Sequence, residues 1–139
     1  MSAFFLFDTN IISELARAKP NPGVLDFVAT VSDVMISSIL FHELTFGVEV
    51  APPERKHSLI LFLQAIRDRF ASRAIAIDVP IAETAARLRA FAKKQGRRLT
   101  LADSLVAGTA MVHDATLVTR NTKDFDKLSI ALFNPFSSE

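Results

Sequence analysis

The sequence predicts an α/β domain: a three-layer sandwich with a mostly parallel central sheet of about five strands between helices. Short apolar runs alternate with stretches of helical spacing along the whole chain. Capping residues and breakers fall between nearly all of them. At 139 residues and 50% hydrophobic, the chain has the size and the apolar content for one domain with its own core, spanning residues 1–139.

Residues 3–7 form a continuous apolar run that stops at Asp8-Thr9-Asn10, as a buried strand ending at a turn would. A short helix is predicted over 11–17. Lys19-Pro20-Asn21-Pro22-Gly23 is a loop by its breakers, and Asn21 followed by Pro22 suits an N-cap and first helical residue for a helix over 24–31. Residues 34–37 read as the second strand. From Ser38, taken as the cap, Ile39, Leu40, Glu43, Leu44 and Gly47 repeat at helical spacing until Pro52-Pro53 approaches. An amphipathic helix follows over 54–71, with Leu59, Phe62, Leu63, Ile66 and Phe70 on one side. Residues 74–77 are predicted as a third strand, ended by Asp78 and Pro80, and 81–95 as an alanine-rich helix closed by Gly96. Thr100-Leu101-Ala102-Asp103 opens a helix that runs to about His113. Residues 116–119 make a fourth strand, 121–128 a polar turn with a short helix, and 130–133 a fifth strand.

Composition narrows the chemistry. Without cysteine there are no disulfides, thiolate metal sites or cysteine nucleophiles, so any metal must take oxygen or imidazole ligands. A net charge of +1 does not by itself announce a nucleic-acid binder. No stretch reaches the roughly 20 apolar residues of a membrane span, and the N-terminus has no basic lead-in, so the expectation is a cytoplasmic protein without membrane association.

In an open parallel sheet, ligands gather beyond the carboxyl ends of the strands. Asp8 follows the first strand, Glu43 lies early in the helix after the second, Asp103 opens a later helix, and Asn121 and Asp124 follow the fourth strand. Carboxylates crowded at one edge repel unless their pKa values rise or a hard cation sits among them, and Mg²⁺ or Mn²⁺ suits such oxygens and phosphodiester hydrolysis. Simpler roles stay open. Asp8 can cap the following helix, and Asp103 with Thr100 resembles a capping box. Glu43 sits among Phe41, Leu44 and Phe46, where it must be exposed or coordinated. Glu14 and Asp78 read as solvated or capping residues. His42, His57 and His113 form no motif. The basic groups Arg67, Arg69 and Arg73, and Lys93, Lys94, Arg97 and Arg98, are either solvated faces or edges for RNA phosphates. Most of the twelve Phe residues belong to the core by their type.

Phe7-Asp8-Thr9-Asn10, Ser38 to Glu43 with Leu44 and Gly47, Leu101-Ala102-Asp103, and Leu117-Val118-Thr119-Arg120-Asn121 together resemble the PIN-domain ribonucleases. The likeness extends from Phe4 to Phe136. It is similar to the VapC-type toxins of toxin-antitoxin systems, and in Ala102 to Ala110 and Phe133-Asn134-Pro135-Phe136 to their FitB-like branch. This resemblance implies a Mg²⁺- or Mn²⁺-dependent endoribonuclease with Asp8, Glu43 and Asp103 as catalytic and metal-binding acids. It also implies a cognate VapB-like antitoxin that binds operator DNA, a homodimer within a larger complex, and an apolar groove for an antitoxin helix. The fourth acidic position departs from part of the family, with Asn121 where some relatives carry aspartate. Asp124 is carried as a further metal ligand, and Thr9, Asn10, Thr119 and Asn121 as supports that orient the acids. Rival readings are a PIN-like module that binds RNA or a partner without cutting, an aspartyl-phosphate phosphatase built on Asp8, and a receiver domain with Asp78 as phosphoacceptor.

Overall fold

The structure is a computed structural model that describes residues 4–137. Four parallel strands, β1 (Phe5–Phe7), β2 (Val34–Met35), β3 (Thr116–Val118) and β4 (Leu132–Phe133), form a sheet in the order β2-β1-β3-β4. Six α-helices connect them: α1 (Thr9–Leu15), α2 (Pro22–Thr30), α3 (Ser38–Glu49), α4 (Pro53–Phe70), α5 (Val79–Lys94) and α6 (Leu101–Val112).

Alternation along the strands sorts side chains onto two faces. Leu6 and Leu117 join Leu88, Ala92, Val106, Ala107 and Ala110 in a core under α5 and α6. Phe7 and Val118 turn the other way, into a core with Ile11, Ile12, Val24, Leu40, Ile66 and Phe70 from α1 to α4. Both faces are covered, which is why these strands are apolar throughout rather than alternating.

The caps behave as their chemistry dictates. Asn21 Oδ1 accepts from Gly23 N and Val24 N at 2.9 and 3.4 Å, with Pro22 at the first helical position of α2. Asp78 Oδ1 accepts from Ile81 N at 3.1 Å and caps α5, and Gly96 follows that helix at φ +71°. The cap of α3 is Ser37 rather than Ser38: its Oγ accepts from Ile39 N at 3.2 Å. Gly108 of α6 sits where a Cβ would lie 3.0 Å from Ala85 N and Ile81 O, so its bare backbone lets α6 pack directly on α5.

The predicted third strand is the main correction. Residues 74–77 pair with the sheet only through a parallel bridge between Ser37 and Ile75, beside β2, so the described sheet has four strands and not five. Only Ile75 is engaged: its N–H donates to Ile36 O at 2.8 Å and its carbonyl accepts from Ser38 N at 2.9 Å, before α5 begins at Val79. β3 neighbours β1 directly. A receiver domain needs its phosphoacceptor after a central third strand, whereas Asp78 follows an edge segment and is engaged in capping α5.

Candidate active site

β1 delivers Asp8 to the carboxyl edge of the sheet, where it is 7% exposed. Its Oδ1 accepts from Thr9 N at 2.8 Å, which makes it the N-cap of α1. Its Oδ2 accepts from Thr119 Oγ1 at 2.8 Å and from Asn10 Nδ2 at 3.3 Å. Thr119, fully buried just beyond β3, also accepts through Oγ1 from Asn10 Nδ2 at 3.1 Å and from Asn121 N at 3.0 Å. Arg120 N donates to Asn10 Oδ1 at 3.2 Å and closes the link between the ends of β1 and β3.

The other acids arrive on helices and a turn. Glu43, half-buried on α3, accepts a hydrogen bond from Thr9 Oγ1, so Thr9 contacts two acids, one through its N–H and one through its hydroxyl. Asp103 lies in the first turn of α6, with its own N–H donating to Thr100 Oγ1 at 3.1 Å. Asp124 sits in an exposed 3-10 turn, Thr122–Asp124. Arg97 braces that turn: its Nη2 donates to Lys123 O at 2.7 Å and to Asp126 Oδ1 at 2.9 Å.

Electrostatics ties these acids together. Burial raises the Asp8 pKa to about 6; the hydrogen bonds from Thr119 and Thr9 restrain the rise, while the charges of Asp103 and Glu43 add to it. Burial also raises Asp103, opposed by its hydrogen bond with Thr100 and reinforced by the charges of Asp124 and Glu43. The charge of Glu43 thus bears on both Asp8 and Asp103, that of Asp103 on Asp8, and that of Asp124 on Asp103. No group of three or more His, Asp or Glu among the described residues is drawn closely enough to form a ready-made metal cage. The donor chemistry nevertheless fits a hard divalent cation: all donors are oxygens, and a positive charge would relieve both burial and repulsion.

Thr9, Asn10 and Thr119 each donate a hydrogen bond to at least one of the acids. Asn121 differs from expectation, because it joins the network through its backbone N–H, while the residue itself is exposed. Glu14 is not solvated; it is 5% exposed and accepts from Asn21 N at 2.8 Å, closing the loop that leads into α2. His42, His57 and His113 are all exposed and none belongs to the cluster. The brace from Arg97 was hidden from sequence reasoning, since its partners lie 26 and 29 residues away with no local pattern to join them.

The chain is similar to known proteins over nearly its whole length. The toxin FitB of Neisseria gonorrhoeae is 36% identical over 135 residues, covering 94% of this chain and 97% of that protein. The VapC ribonuclease Y4jK of Sinorhizobium fredii is 29% identical, covering 94% and 96%. Among solved structures, FitAcB from Neisseria gonorrhoeae superposes with a TM-score of 0.86 at 37% identity, covering 95% of this chain and 98% of that one. A toxin-antitoxin complex from Klebsiella pneumoniae superposes at 0.72 with 29% identity, covering 96% and 98%. The PIN domain family matches residues 5–131, carrying with it Asp8, Glu43, Asp103 and Asp124. With nearly its whole length covered by that match, the chain belongs to the PIN-domain family.

Proposed function

We propose that this single domain is a divalent-metal-dependent endoribonuclease toxin kept inactive by a cognate antitoxin. The observation that carries the reading is Asp8: a carboxyl buried at the end of β1, held by Thr119 and Thr9, and raised to about 6 by burial together with the charges of Asp103 and Glu43. Such a group is costly to the fold and useful to a cation. The names of the relatives, a toxin and a VapC ribonuclease, agree with it.

In this mechanism Asp8, Asp103 and Glu43 would hold Mg²⁺ or Mn²⁺, with Asp124 contributing charge from the exposed side. When bound, the ion supplies Lewis-acid stabilisation of negative charge on the phosphate and lowers the pKa of an attacking water. Thr119 and Asn10 fix the Asp8 carboxylate, and Thr9 aligns Glu43 with it. Attack by water, with departure of the 3′ oxygen, leaves a 5′-phosphate on the product.

The antitoxin reading has its own support. A groove of about 280 Å³ between α1, α3 and α4 is lined by Leu44, Val48, Leu59 and Phe62 and ends at Thr9 and Glu43. On the same two helices, α3 with its C-cap and α4, Phe46, Val50 and Leu61 are 61%, 63% and 53% exposed, and exposed apolar side chains suit an amphipathic helix. A partner helix lying there would reach Glu43. No helix among the described residues is long and apolar enough to cross a membrane.

The test incubates the chain, freed of any co-purifying antitoxin, with structured RNA in Mn²⁺ or Mg²⁺, beside an EDTA control and the Asp8→Asn and Asp103→Asn variants. Metal-dependent cleavage leaving 5′-phosphates, lost in both variants, is the expected outcome. A 2′,3′-cyclic phosphate product would assign the attack to the RNA's own 2′-hydroxyl and refute the mechanism. Absence of cleavage with Mn²⁺ binding unchanged by either substitution would leave a binding module instead.

A further inference from the structure

A trough of about 850 Å³ runs between α5 and the start of α6, outside the acidic cluster. Its floor is small, built from Ala82, Ala86 and Ala90 at helical spacing along α5. Its walls carry Arg89, Lys93, Arg97 and Arg98 and no acidic residue. At one end lie Thr100 and Leu101, in the same cap and first turn of α6 that present Asp103. The cations are not equivalent. Arg97 is engaged with Lys123 O and Asp126, whereas Arg89, Lys93 and Arg98 are exposed and have no hydrogen-bond or ion-pair partner among the described residues.

We propose that this trough is the track for the RNA backbone, with Arg89, Lys93 and Arg98 holding successive phosphates on one side of the scissile bond; the assignment rests on the ribonuclease reading above. Charge selects the occupant. Three unpaired cations facing one groove, in a chain whose net charge is only +1, form a local positive field that favours a polyanion. The alanine floor lets a sugar-phosphate backbone approach α5 closely. Leu101, 58% exposed at the mouth, offers an apolar contact to a base or ribose without selecting a sequence. With no Trp or Tyr in the chain to stack bases, affinity must come largely from phosphates, and that is the contact this trough offers.

The test compares wild type with the Arg89→Gln/Lys93→Gln/Arg98→Gln triple variant. Binding of a fluorescein-labelled single-stranded RNA is followed by anisotropy in EDTA over a salt series, and hydrolysis of bis(p-nitrophenyl) phosphate is followed in Mn²⁺. The variant should bind about tenfold to a hundredfold more weakly near 0.1 M salt, and its log K against log salt slope should flatten by about 2. Hydrolysis of the small ester, which reaches only the acids, should be unchanged. Unaltered affinity and slope in the variant would overturn the track while leaving the nuclease reading intact. A wild type that cleaves nothing, yet loses RNA affinity on triple substitution, would retain the track and refute the nuclease. A fall of the variant's light-scattering mass to half the wild-type value would make the trough a self-association surface and overturn its assignment to RNA.

Discussion

Asp8 and Asp124 mark the two ends of the carboxylate cluster, and the chain holds them by different means. Asp8 is buried, follows a strand that pairs on both sides, and accepts from Thr9, Thr119 and Asn10. Asp124 is exposed in a 3-10 turn, steadied from outside by Arg97 through its neighbours Lys123 and Asp126. One end is preorganised by the core, so its geometry resists change and its charge costs stability. The other is steadied by surface contacts, which contribute little free energy and let the turn adjust to what it binds. A site with one fixed and one adjustable edge can receive a cation and a bulky polymer without rebuilding its interior.

The strongest way to break the comparison is Asp8→Asn. The amide keeps the shape and removes the charge, so cleavage should fall by at least about a hundredfold, more than loss of a supporting residue usually costs. The same change should raise the stability of the metal-free fold, because a buried, repelled carboxylate is gone. Denaturant unfolding in EDTA beside a cleavage assay checks both. A variant that is inactive and also less stable would mean that Asp8 serves chiefly as a structural cap.

Next in size is a pH effect on the metal-free protein. Asp8 has a folded pKa of about 6 against an ordinary 3.8, so between those values the native state binds more protons than the unfolded chain. Its contribution to stability is fully present below pH 3.8 and is lost as pH rises through about 6, a change on the order of 3 kcal/mol. Asp103, also raised, acts in the same direction. Subtracting the Asp8→Asn curve from the wild-type curve in EDTA isolates the Asp8 contribution, which should decline across that window. Added Mn²⁺ should restore it most at the high-pH end. A flat or rising difference curve would show that burial does not raise Asp8.

Thr119→Val sharpens the fixed end. The substitution keeps the shape but deprives Asp8 of its hydroxyl donor, and it leaves Asn10 Nδ2 and Asn121 N without the oxygen they share. A loss of about 1 to 3 kcal/mol in stability and roughly tenfold to a hundredfold in turnover is expected. Thr100→Ala, which removes only the α6 cap, should cost about 1 kcal/mol and less activity. Equal effects of the two substitutions on turnover would erase the distinction between a buried bracket and a helix cap.

The same contrast explains what was legible in the sequence. Asp8 could be placed because an apolar run must end at a sheet edge, and Thr119 because a second such run ends beside it. The Thr100 capping pattern set Asp103 in the first turn of its helix, while the resemblance to PIN domains implied its role as an acid of the site. Residues 74–77 misled because Ala-Ile-Ala-Ile reads as a strand, yet it makes only a single bridge, to Ser37 beyond the end of β2. The turn carrying Asp124 has no periodicity to reveal its direction, and Arg97 reaches it from a connector far away in sequence. Local chemistry announces strand ends and caps; long-range braces appear only once the chain is folded.

The smallest expected effect concerns the choice between Asp124 and Asn121. The charge of Asp124 bears on Asp103, whereas Asn121 joins the network through its backbone N–H. Asp124→Asn should therefore weaken Mn²⁺ binding a few-fold, the scale for an exposed, solvent-screened charge, and Asn121→Ala should change it little. Asn121→Asp in the Asp124→Asn background decides whether charge or position matters at this edge. Recovery of Mn²⁺ affinity, measured by calorimetry, would mean that the adjustable end needs only one negative charge within its turn. No recovery would mean that the 3-10 turn fixes Asp124 more tightly than its exposure suggests, and Arg97→Ala should then weaken Mn²⁺ binding as much as removing the Asp124 charge itself.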